Sequence, residues 1–376
     1  MVPSVARAGR ARARRRGGGR LEVGMALLAV ALAARRAEGW GPVWRDSSPP
    51  VSHSVVTHAR VDTPSSIRVD WLAVTEIAGD QKWNHRAVFF PSKRVGYAVG
   101  YGGYLAKTVD GGKHWQTHNI GISSPLFGLY FFDEQRGLAV GELGVVLRTV
   151  DGGETWERSP YPGSGEVRDL AFWDRRHGVA VGRGIATTDD GGRTWRERSY
   201  TPAGVSVPPG FRMFLWKIAI TGPRSAVVCA LGGGLFHTED RGTSWQTIDS
   251  EEVHHFYTLS FPDRVTGYAA GQGGMWKTTD GGKHWRPVPN GPREVYGLHF
   301  FDALHGIAVG GGVGPYRGPQ TETVRVTSDG GATWYANTTS IGPRMLHDIH
   351  FPTRQDGFAA GGDQILKLKP DRASRF

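Results

Sequence analysis

One eight-residue motif recurs along the chain and constrains its fold more than any other feature. It reads TVDGGKHW at residues 108–115 and TVDGGETW at 149–156. Four further copies occupy residues 188–195, 238–245, 278–285 and 327–334. The tryptophans that end successive copies are 41, 39, 50, 40 and 49 residues apart. A period of about 40–50 residues is typical of propeller blades and of some helical arrays.

Each motif ends a longer unit of short strands. The second unit reads GLYFFDEQRGLAVGELGVVLRTVDGGETW, in which apolar, β-rich runs alternate with polar or glycine turns. This pattern predicts strands near 128–132, 137–141, 145–149 and 155–159. No stretch after residue 60 shows sustained helical periodicity.

The units outnumber the motifs by one. Segments that resemble Gly-x-Ala-Val-Gly occur seven times, and the last unit, 348–370, has three predicted strands and no motif. The segment WLAVTEI at 71–77 resembles the strands that follow each motif, and pairing it with 364–369 would close a ring without exposed strand edges. The sequence therefore predicts an all-β fold, a seven-bladed β-propeller of four-stranded blades closed by an N-terminal strand.

The recurring motif is interpreted as a structural turn between the third and fourth strands. Aspartate accepts hydrogen bonds from backbone N–H groups, glycine supplies a positive φ, and tryptophan buries a large ring. The structural set is Asp110, Asp151, Asp190, Asp240, Asp280, Asp329, Trp115, Trp156, Trp195, Trp245, Trp285 and Trp334. The alternative, a set of catalytic or metal-binding aspartates, is disfavoured because units arranged in a ring hold these residues too far apart to converge.

Composition excludes several classes of protein. The net charge of +10 is concentrated in residues 1–33, which hold seven arginines and one glutamate, so the rest of the chain carries +4. This modest charge does not indicate a nucleic-acid-binding domain. The single cysteine, Cys229, excludes a disulfide scaffold and a cysteine zinc cluster. We predict no cofactor and no metal.

The N-terminal segment resembles an export or targeting leader. A basic stretch at 10–20 precedes the ten-residue apolar run 25–34, which is too short to span a bilayer comfortably. Arg14, Arg15 and Arg16 are compatible with a twin-arginine signal, and ordinary secretion remains an alternative. The predicted organisation is a leader at 1–39, a linker at 40–66, the propeller at 67–370 and a tail at 371–376.

The motif resembles the Asp-box, or BNR repeat, of sialidases, sortilin-type receptors and other propellers. Together with the Gly-x-Ala-Val-Gly segments, the count of seven blades and the leader, it resembles the photosystem II stability/assembly factor family. This resemblance implies a non-enzymatic, monomeric assembly chaperone that holds an early photosystem II reaction-centre subunit through a basic surface patch. It also implies a location in, or associated with, the thylakoid lumen, peripheral to the membrane at most. The periplasm of a bacterium or secretion is the alternative location.

Strand order predicts which face binds a partner. Both long insertions, 200–211 and 310–324, lie opposite the Asp-boxes, and long irregular loops on rigid scaffolds often carry function. The candidate partner-binding residues on that face are Arg86, Arg168, Arg212, Lys217, Arg293, Arg317 and Arg344. Because acidic residues are interspersed among them, an ordinary mixed surface is the alternative interpretation.

Two other functions remain open at this stage. An exported propeller could bind a protein unrelated to photosynthesis. A sialidase-like glycosidase is a weaker alternative, because FRMF at 211–214 only faintly matches the arginine motif of those enzymes and six blades would be expected. A sortilin-like receptor would need more blades and a cysteine-rich module.

Overall fold

The computed structural model describes residues 69–74, 85–198, 214–231, 234–248, 255–311, 324–336, 345–362 and 364–370. Within these ranges the chain forms seven four-stranded antiparallel sheets, so the predicted all-β, seven-bladed propeller is confirmed. In the same ranges, helical structure is limited to two 3-10 turns, Tyr101–Gly103 and Glu142–Gly144. No helix in the described part of the chain is long and apolar enough to cross a bilayer.

Strand β1 spans Val69–Val74 and belongs to the last blade. Blade 1 contains β2 His85–Phe89, β3 Gly96–Gly100, β4 Leu105–Thr108 and β5 Gln116–Thr117. Blade 2 contains β6 Leu126–Phe131, β7 Gly137–Gly141, β8 Val146–Thr149 and β9 Glu157–Arg158. Blade 3 contains β10 Val167–Phe172, β11 Gly178–Gly182, β12 Ile185–Thr188 and β13 Arg196–Arg198.

The remaining blades follow the same order. Blade 4 contains β14 Phe214–Ile220, β15 Ala226–Leu231, β16 Gly234–Thr238 and β17 Gln246–Ile248. Blade 5 contains β18 Phe256–Ser260, β19 Gly267–Gly271, β20 Met275–Thr278 and β21 Arg286–Val288. Blade 6 contains β22 Val295–Phe300, β23 Gly306–Gly310, β24 Val324–Thr327 and β25 Tyr335–Ala336. Blade 7 contains β26 Asp348–Thr353, β27 Asp356–Gly361 and β28 Gln364–Pro370, together with β1.

The first strand of each blade is the inner strand. The inner strands of neighbouring blades lie next to one another around the ring, from β2 and β6 through to β26 and β2. The core lies between blades, because each apolar cluster joins side chains of two neighbours. Between blades 7 and 1, for example, the ring of Phe90 stacks on that of Phe358 with centroids 3.6 Å apart. The interface between the first and last blades therefore includes a buried aromatic pair.

In the six blades that have an Asp-box, this turn and the turn between the first and second strands lie at the same end of the blade. In blade 1 the backbone N–H of Gly111 donates to the carbonyl of Arg94, and in blade 3 that of Gly191 donates to the carbonyl of Arg176. The end that carries these turns is called the box face. The inner strands therefore begin at the opposite face, as strand order predicts.

Two details differ from the sequence prediction. Each fourth strand begins after the box tryptophan, for example at Glu157 rather than at residue 155, because Trp156 still belongs to the turn. The N-terminal strand ends at Val74, where it lies opposite Ile365. Its role in closing the ring stays a prediction. The leader, the linker, the tail and the two long insertions lie outside the described residues, apart from Gly310, Gly311 and Val324 at the ends of the second insertion.

Candidate functional site

Seven side chains, one from each blade, form a ring around the axis at the face opposite the boxes. This mouth ring consists of Arg86, Phe127, Arg168, Trp216, Tyr257, Tyr296 and His347. Each member lies ten positions before the residue that begins the Gly-x-Ala-Val-Gly segment of its blade, or the matching Ala226 in blade 4. Equivalent positions in repeated units lie at equivalent places around the axis.

A β-bulge positions most of these side chains. In blades 1 to 6 the pairing between the first and second strands skips one residue, and that residue is the ring member, as with Arg168 between Val167 and Asp169. A bulge leaves one residue unpaired and redirects its side chain. In blade 3, glycine is required opposite the bulge, because a Cβ on Gly182 would collide with the carbonyl oxygen of Glu166.

One half of the ring is held by cation–π contacts. The guanidinium carbon of Arg168 lies 4.2 Å from the ring centroid of Phe127 and 4.3 Å from that of Trp216. The guanidinium of Arg86 lies 5.9 Å from Phe127 on the other side. Contacts of this kind are favourable when the cation lies within about 6 Å of the ring centroid. Two cations thus alternate with aromatic faces.

The other half of the ring is aromatic. Trp216 and Tyr257 have centroids 5.5 Å apart, and Tyr257 stacks on Tyr296 at 4.7 Å with ring planes only 3° apart. Tyr296 meets His347 edge-on at 5.7 Å, and Arg86 Nη1 lies 3.1 Å from His347 Nε2. The contacts therefore run through all seven residues without a break, which restrains each side chain before any ligand arrives.

The two ring arginines differ in their electrostatic environment. Arg168 is 14% exposed and forms an ion pair with Glu166, and burial lowers its pKa to about 10 although Glu166 opposes the shift. Among the described residues, no carboxylate lies within ion-pair distance of Arg86. Burial, reinforced by Arg86 and Arg168, holds the pKa of His347 well below its ordinary value, so this imidazole is neutral. Arg86 is therefore the ring cation best placed to accept an anion.

A charged cluster lies one residue further along the inner strands. Lys217 Nζ lies 3.6 Å from Asp169 Oδ1 and 3.6 Å from Asp348 Oδ1. Asp169 Oδ2 accepts the backbone N–H of Ile218 at 3.0 Å, and Asp348 Oδ2 accepts that of Val88 at 3.1 Å. Burial alone would lower the pKa of Lys217, but the two carboxylates raise it above its ordinary value. The lysine thus connects blades 3, 4 and 7 beneath the mouth ring.

A third layer lies below this cluster and contains histidines and aromatic rings. His350 stacks on Phe89 at 4.4 Å, and its Nδ1 accepts the backbone N–H of Phe90 at 3.2 Å. Burial lowers the pKa of His299 to about 4, and burial with nearby His299 and Lys217 lowers that of His350 to about 3. Within the described ranges, no group of three or more His, Cys, Asp or Glu side chains is placed to hold a metal ion.

Three of the predicted partner-binding residues meet at this mouth. Arg86, Arg168 and Lys217 line one opening, whereas Arg293 is exposed in the connection before β22 and does not line it. Arg212, Arg317 and Arg344 lie outside the described residues. Sequence reasoning missed Phe127, Trp216, Tyr257 and Tyr296, which resemble ordinary core aromatics within apolar strands. The fixed spacing of ten residues was the signal that could have identified them.

The Asp-boxes form compact turns on the other face. In blade 2, Asp151 accepts hydrogen bonds from the hydroxyls of Thr149 at 2.8 Å and Thr155 at 2.5 Å, and Gly153 N–H donates to Thr149 Oγ1 at 2.8 Å. Hydrogen bonds from the side chain and backbone of Thr155 lower the pKa of Asp151 to about 2. His114 and His284 replace this threonine in two boxes, and each contacts its aspartate at 2.6 Å.

The fourth box shows which glycine can be replaced. Arg241 occupies the first glycine position with a φ of 62°, and its N–H still donates to the carbonyl of Arg224. The space around the second glycine position varies from box to box. In the box of blade 3, a Cβ on Gly192 would overlap the side chain of Leu138 in blade 2, whereas the nearest atom to a Cβ on Gly242 in the fourth box would be 3.4 Å away. The departure from the motif in the fourth box therefore keeps the positive φ and the backbone hydrogen bond of the first position.

Comparisons with known proteins agree with this architecture. The family model described as photosynthesis system II assembly factor YCF48 matches residues 69–163 and 161–288, more than half of the chain. None of the curated proteins matches the chain. Among solved structures, a YCF48 bound to a D1 peptide superposes with a TM-score of 0.61 at 17% identity, covering 86% of this chain and 99% of that one.

Two further structures show how widely the fold is shared. YCF48 from Cyanidioschyzon merolae superposes with a TM-score of 0.63 at 19% identity, covering 80% of this chain and 98% of that one. An ancestral GH74 enzyme superposes with a TM-score of 0.59 at 10% identity, covering 76% of this chain and 46% of that one. At such identities a structural likeness establishes the fold and not the function.

Proposed function

Because the chain belongs to the photosystem II assembly factor YCF48 family, we propose that it binds a segment of a photosystem II reaction-centre subunit at the mouth ring. The observation that carries this proposal is the unbroken ring of two arginines, four aromatic residues and a neutral histidine at one end of the axis. A related YCF48 has been solved with a D1 peptide bound, which makes D1 the first subunit to test.

The chemistry of the mouth suits a peptide. Aromatic faces such as Tyr257 and Tyr296 offer apolar contact at low entropic cost, because rigid side chains lose little freedom on binding. Arg86 offers a cation without a carboxylate partner among the described residues, so an acidic group on the peptide would supply the missing charge. Preorganised side chains make a larger part of the interaction energy available for affinity.

Catalysis is not part of the proposed function. The described carboxylates nearest the mouth are engaged: Glu166 pairs with Arg168, while Asp169 and Asp348 flank Lys217 and accept backbone N–H groups. A glycosidase needs one carboxylic acid that donates a proton and a second carboxylate that acts as base or nucleophile. Paired and hydrogen-bonded carboxylates are poorly suited to both roles. GH74 enzymes share the fold with this chain, at low identity.

The proposed place of action is the thylakoid lumen or its membrane surface. The support is family membership together with the basic and apolar N-terminal segment, which resembles a targeting leader. N-terminal sequencing of the protein recovered from fractionated thylakoids would test this proposal. A mature N-terminus between the apolar run and residue 69, in the lumenal fraction, is expected. Recovery of the intact leader outside thylakoids would contradict it.

The binding proposal is tested with fluorescein-labelled peptides that tile the D1 sequence, using fluorescence anisotropy. We expect one peptide to bind the unmodified protein and Arg86→Gln to weaken that binding about tenfold or more, because a charge-assisted contact is lost. Arg264→Gln is the matched control, since it removes one exposed arginine from the box face. Thermal melts establish that both variants are folded.

Two outcomes would overturn the proposal. Equal affinity of the Arg86→Gln variant and the unmodified protein for the D1 peptide would remove the mouth as the binding site. Binding of no D1 peptide and no other reaction-centre subunit segment would favour the alternative, a propeller whose protein partner is unrelated to photosynthesis.

A further inference from the structure

We propose that Leu143 of blade 2 is an apolar contact site for the protein segment that binds at the mouth ring. Leu143 lies on the end of the propeller that carries this ring, here called the mouth face. A large apolar residue of the segment would pack on it while an acidic residue of the same segment pairs with Arg86. The inference rests on the proposed function and extends it, because it adds a second requirement to the ligand.

Leu143 is the most exposed large apolar side chain among the described residues, at 62%. The other four that are exposed lie in turns of the box face: Val109 and Val150 in Asp-boxes, Val265 and Leu304 between first and second strands. Single apolar side chains are common on protein surfaces, so exposure by itself indicates no site. The location and the backbone of Leu143 set it apart.

The backbone of Leu143 is strained. This residue is the middle one of the 3-10 turn Glu142–Gly144 and has a φ of 56° and a ψ of 33°. Residues other than glycine, asparagine and aspartate rarely adopt this left-handed conformation. Blade 1 forms the same turn at Tyr101–Gly103, and there the middle residue is Gly102, with a φ of 67° and a ψ of 20°. Glycine therefore suits this place in the fold, and leucine is unfavourable there.

The turn does not need the side chain of Leu143. It is closed by the N–H of Val145, which donates to the carbonyl of Glu142 at 3.1 Å, and the turn of blade 1 is closed in the same way. Leu143 thus combines exposed apolar surface with a strained backbone, and both are unfavourable in the free protein. Strain of this kind is concentrated at functional sites. A contact made only when a partner binds would explain why leucine occupies this position.

The turn lies beside the cationic half of the mouth ring. The N–H of the residue before Leu143 donates to the carbonyl of Pro125 at 2.9 Å, two positions before Phe127 of the ring. The glycine after Leu143 packs on the loop that leads to Arg168, since a Cβ there would collide with the carbonyl oxygen of Gly163. A segment that leaves the axis over the inner strand of blade 2 would therefore reach this turn next.

Blade 1 shows that such a turn forms part of the mouth. Its first residue, Tyr101, has its ring centroid 5.1 Å from the guanidinium carbon of Arg86. The same ring meets Phe127 edge-on at 6.3 Å. The turns between second and third strands therefore extend the surface of the mouth ring outward along the blades.

The surroundings of Leu143 favour a peptide over a lipid surface. Tyr161 lies against the neighbouring Gly144 and is half-buried, and Pro162 beside it is exposed. A membrane-binding surface presents a row of apolar side chains at one level. Among the described residues of the mouth face, Leu143 is the only large apolar side chain that is more than half exposed. One apolar residue of a peptide is enough to cover it.

The test uses peptides that are chosen without reference to D1. A phage-displayed library of random dodecapeptides is panned against the full, unmodified chain, and the recovered peptides are labelled with fluorescein for anisotropy. Peptides whose binding is weakened by Arg86→Gln are defined as mouth ligands. We expect the mouth ligands to share an acidic residue and a large apolar residue at a fixed spacing.

Leu143→Gly removes the apolar side chain and relieves the strained backbone at once. We expect it to weaken binding of the mouth ligands about fivefold or more, while Tm stays equal or rises. Leu143→Asn, whose side chain also tolerates this φ, should act in the same way. Leu143→Met keeps an apolar side chain and should bind within about twofold of the unmodified protein. Leu304→Gly, the matched control on the box face, should also bind within about twofold.

A double-mutant cycle tests whether Leu143 meets the apolar residue of the ligand. Replacing that residue of a mouth ligand by alanine should weaken binding to the unmodified protein about fivefold and to Leu143→Gly less than about twofold. Equal losses on the two proteins would overturn the proposal, because the apolar residue would then bind elsewhere.

The remaining outcomes separate this proposal from the binding at the mouth itself. Unchanged affinity of both Leu143→Gly and Leu143→Asn for the mouth ligands would overturn it and leave the mouth ring in place. A lower Tm of both variants together with weaker binding would assign Leu143 to folding. If no recovered peptide depends on Arg86, the mouth ring and its extension over blade 2 both fail. Binding of neutral phospholipid vesicles that is weakened by Leu143→Gly would overturn the proposal in favour of a lipid surface.

Discussion

The ammonium of Lys217 in blade 4 lies 3.6 Å from a carboxylate oxygen of Asp348 in blade 7, so one side chain connects inner strands that are not neighbours in the ring. The same ammonium lies equally close to Asp169, which is 5% exposed. Removing the lysine would leave two carboxylates near the axis without their shared counter-charge. Buried carboxylates that lose their counter-charge lower the stability of the folded protein.

Lys217→Met is therefore expected to lower the free energy of unfolding by about 2–3 kcal/mol. Denaturant titration measures this change. Adding Asp169→Asn and Asp348→Asn to the lysine variant should restore part of the loss, because neutral amides do not need a counter-charge. An unchanged midpoint for Lys217→Met would show that the cluster contributes nothing to stability.

The Asp-boxes are expected to stabilise the blades and not to act on a ligand. Trp195→Ala should lower the free energy of unfolding by about 3–5 kcal/mol, since it truncates a ring that is 6% exposed. Asp190→Ala should cost less, about 1–2 kcal/mol, through loss of the hydrogen bonds to Thr188 and Thr194. Denaturant titration compares the two. Unchanged midpoints together with lost binding of the D1 peptide would contradict the structural role.

The N-terminal strand is expected to protect the edge of the last blade. Its backbone pairs along β28, from Val69 opposite Pro370 to Val74 opposite Ile365. Deleting residues 67–78 should expose that edge and promote association, because unpaired strand edges pair with other chains. Light scattering after size-exclusion chromatography measures the effect. A deletion variant that stays monomeric and unfolds cooperatively would show that the strand does not close the ring.

Acid is expected to destabilise the propeller in two steps. In the folded protein the pKa values of His299 and His350 are lowered to about 4 and about 3. The stability that these buried, neutral histidines permit is therefore fully present above the pKa of histidine in the unfolded chain, near 6.5. As pH falls from about 6.5 toward these folded values, the unfolded chain binds protons that the folded chain does not, and stability falls. Below about pH 4, the box carboxylates, such as Asp151 with a pKa of about 2, extend the loss.

Thermal melts across pH measure the first step. We expect Tm to fall by about 5–10 °C between pH 7 and pH 4.5. A double variant, His299→Phe with His350→Asn, should reduce the decline in this window, since phenylalanine does not titrate and asparagine can still accept the N–H of Phe90. His347, whose pKa is also held below its ordinary value, should account for part of the decline that remains. The loss below pH 4 should remain and serves as an internal control. An identical decline in the double variant would assign the first step to other groups.

The sequence predicts the architecture well because each blade repeats its own turn chemistry. Seven Gly-x-Ala-Val-Gly segments and six Asp-boxes determine the number of blades, and strand order alone separates the two faces. The mouth ring was only partly predicted. Arg86 and Arg168 in the ring, and Lys217 beneath it, were identified by their charge, whereas Phe127 and Trp216 belong to apolar strands, and only the bulge turns them toward the axis. Arg293 was chosen for its charge, but it precedes the strand and therefore stays outside the ring.

A site-specific photo-crosslink tests the central claim, binding at the mouth, most directly. A photoreactive phenylalanine analogue would replace Tyr296 in the mouth ring or, as the control, the exposed Leu304 on the box face of the same blade. Each protein is irradiated during synthesis of photosystem II reaction-centre subunits, and crosslinked products are identified by mass spectrometry. The account predicts a D1 crosslink from position 296 and none from position 304. A D1 crosslink from position 304 alone would contradict it.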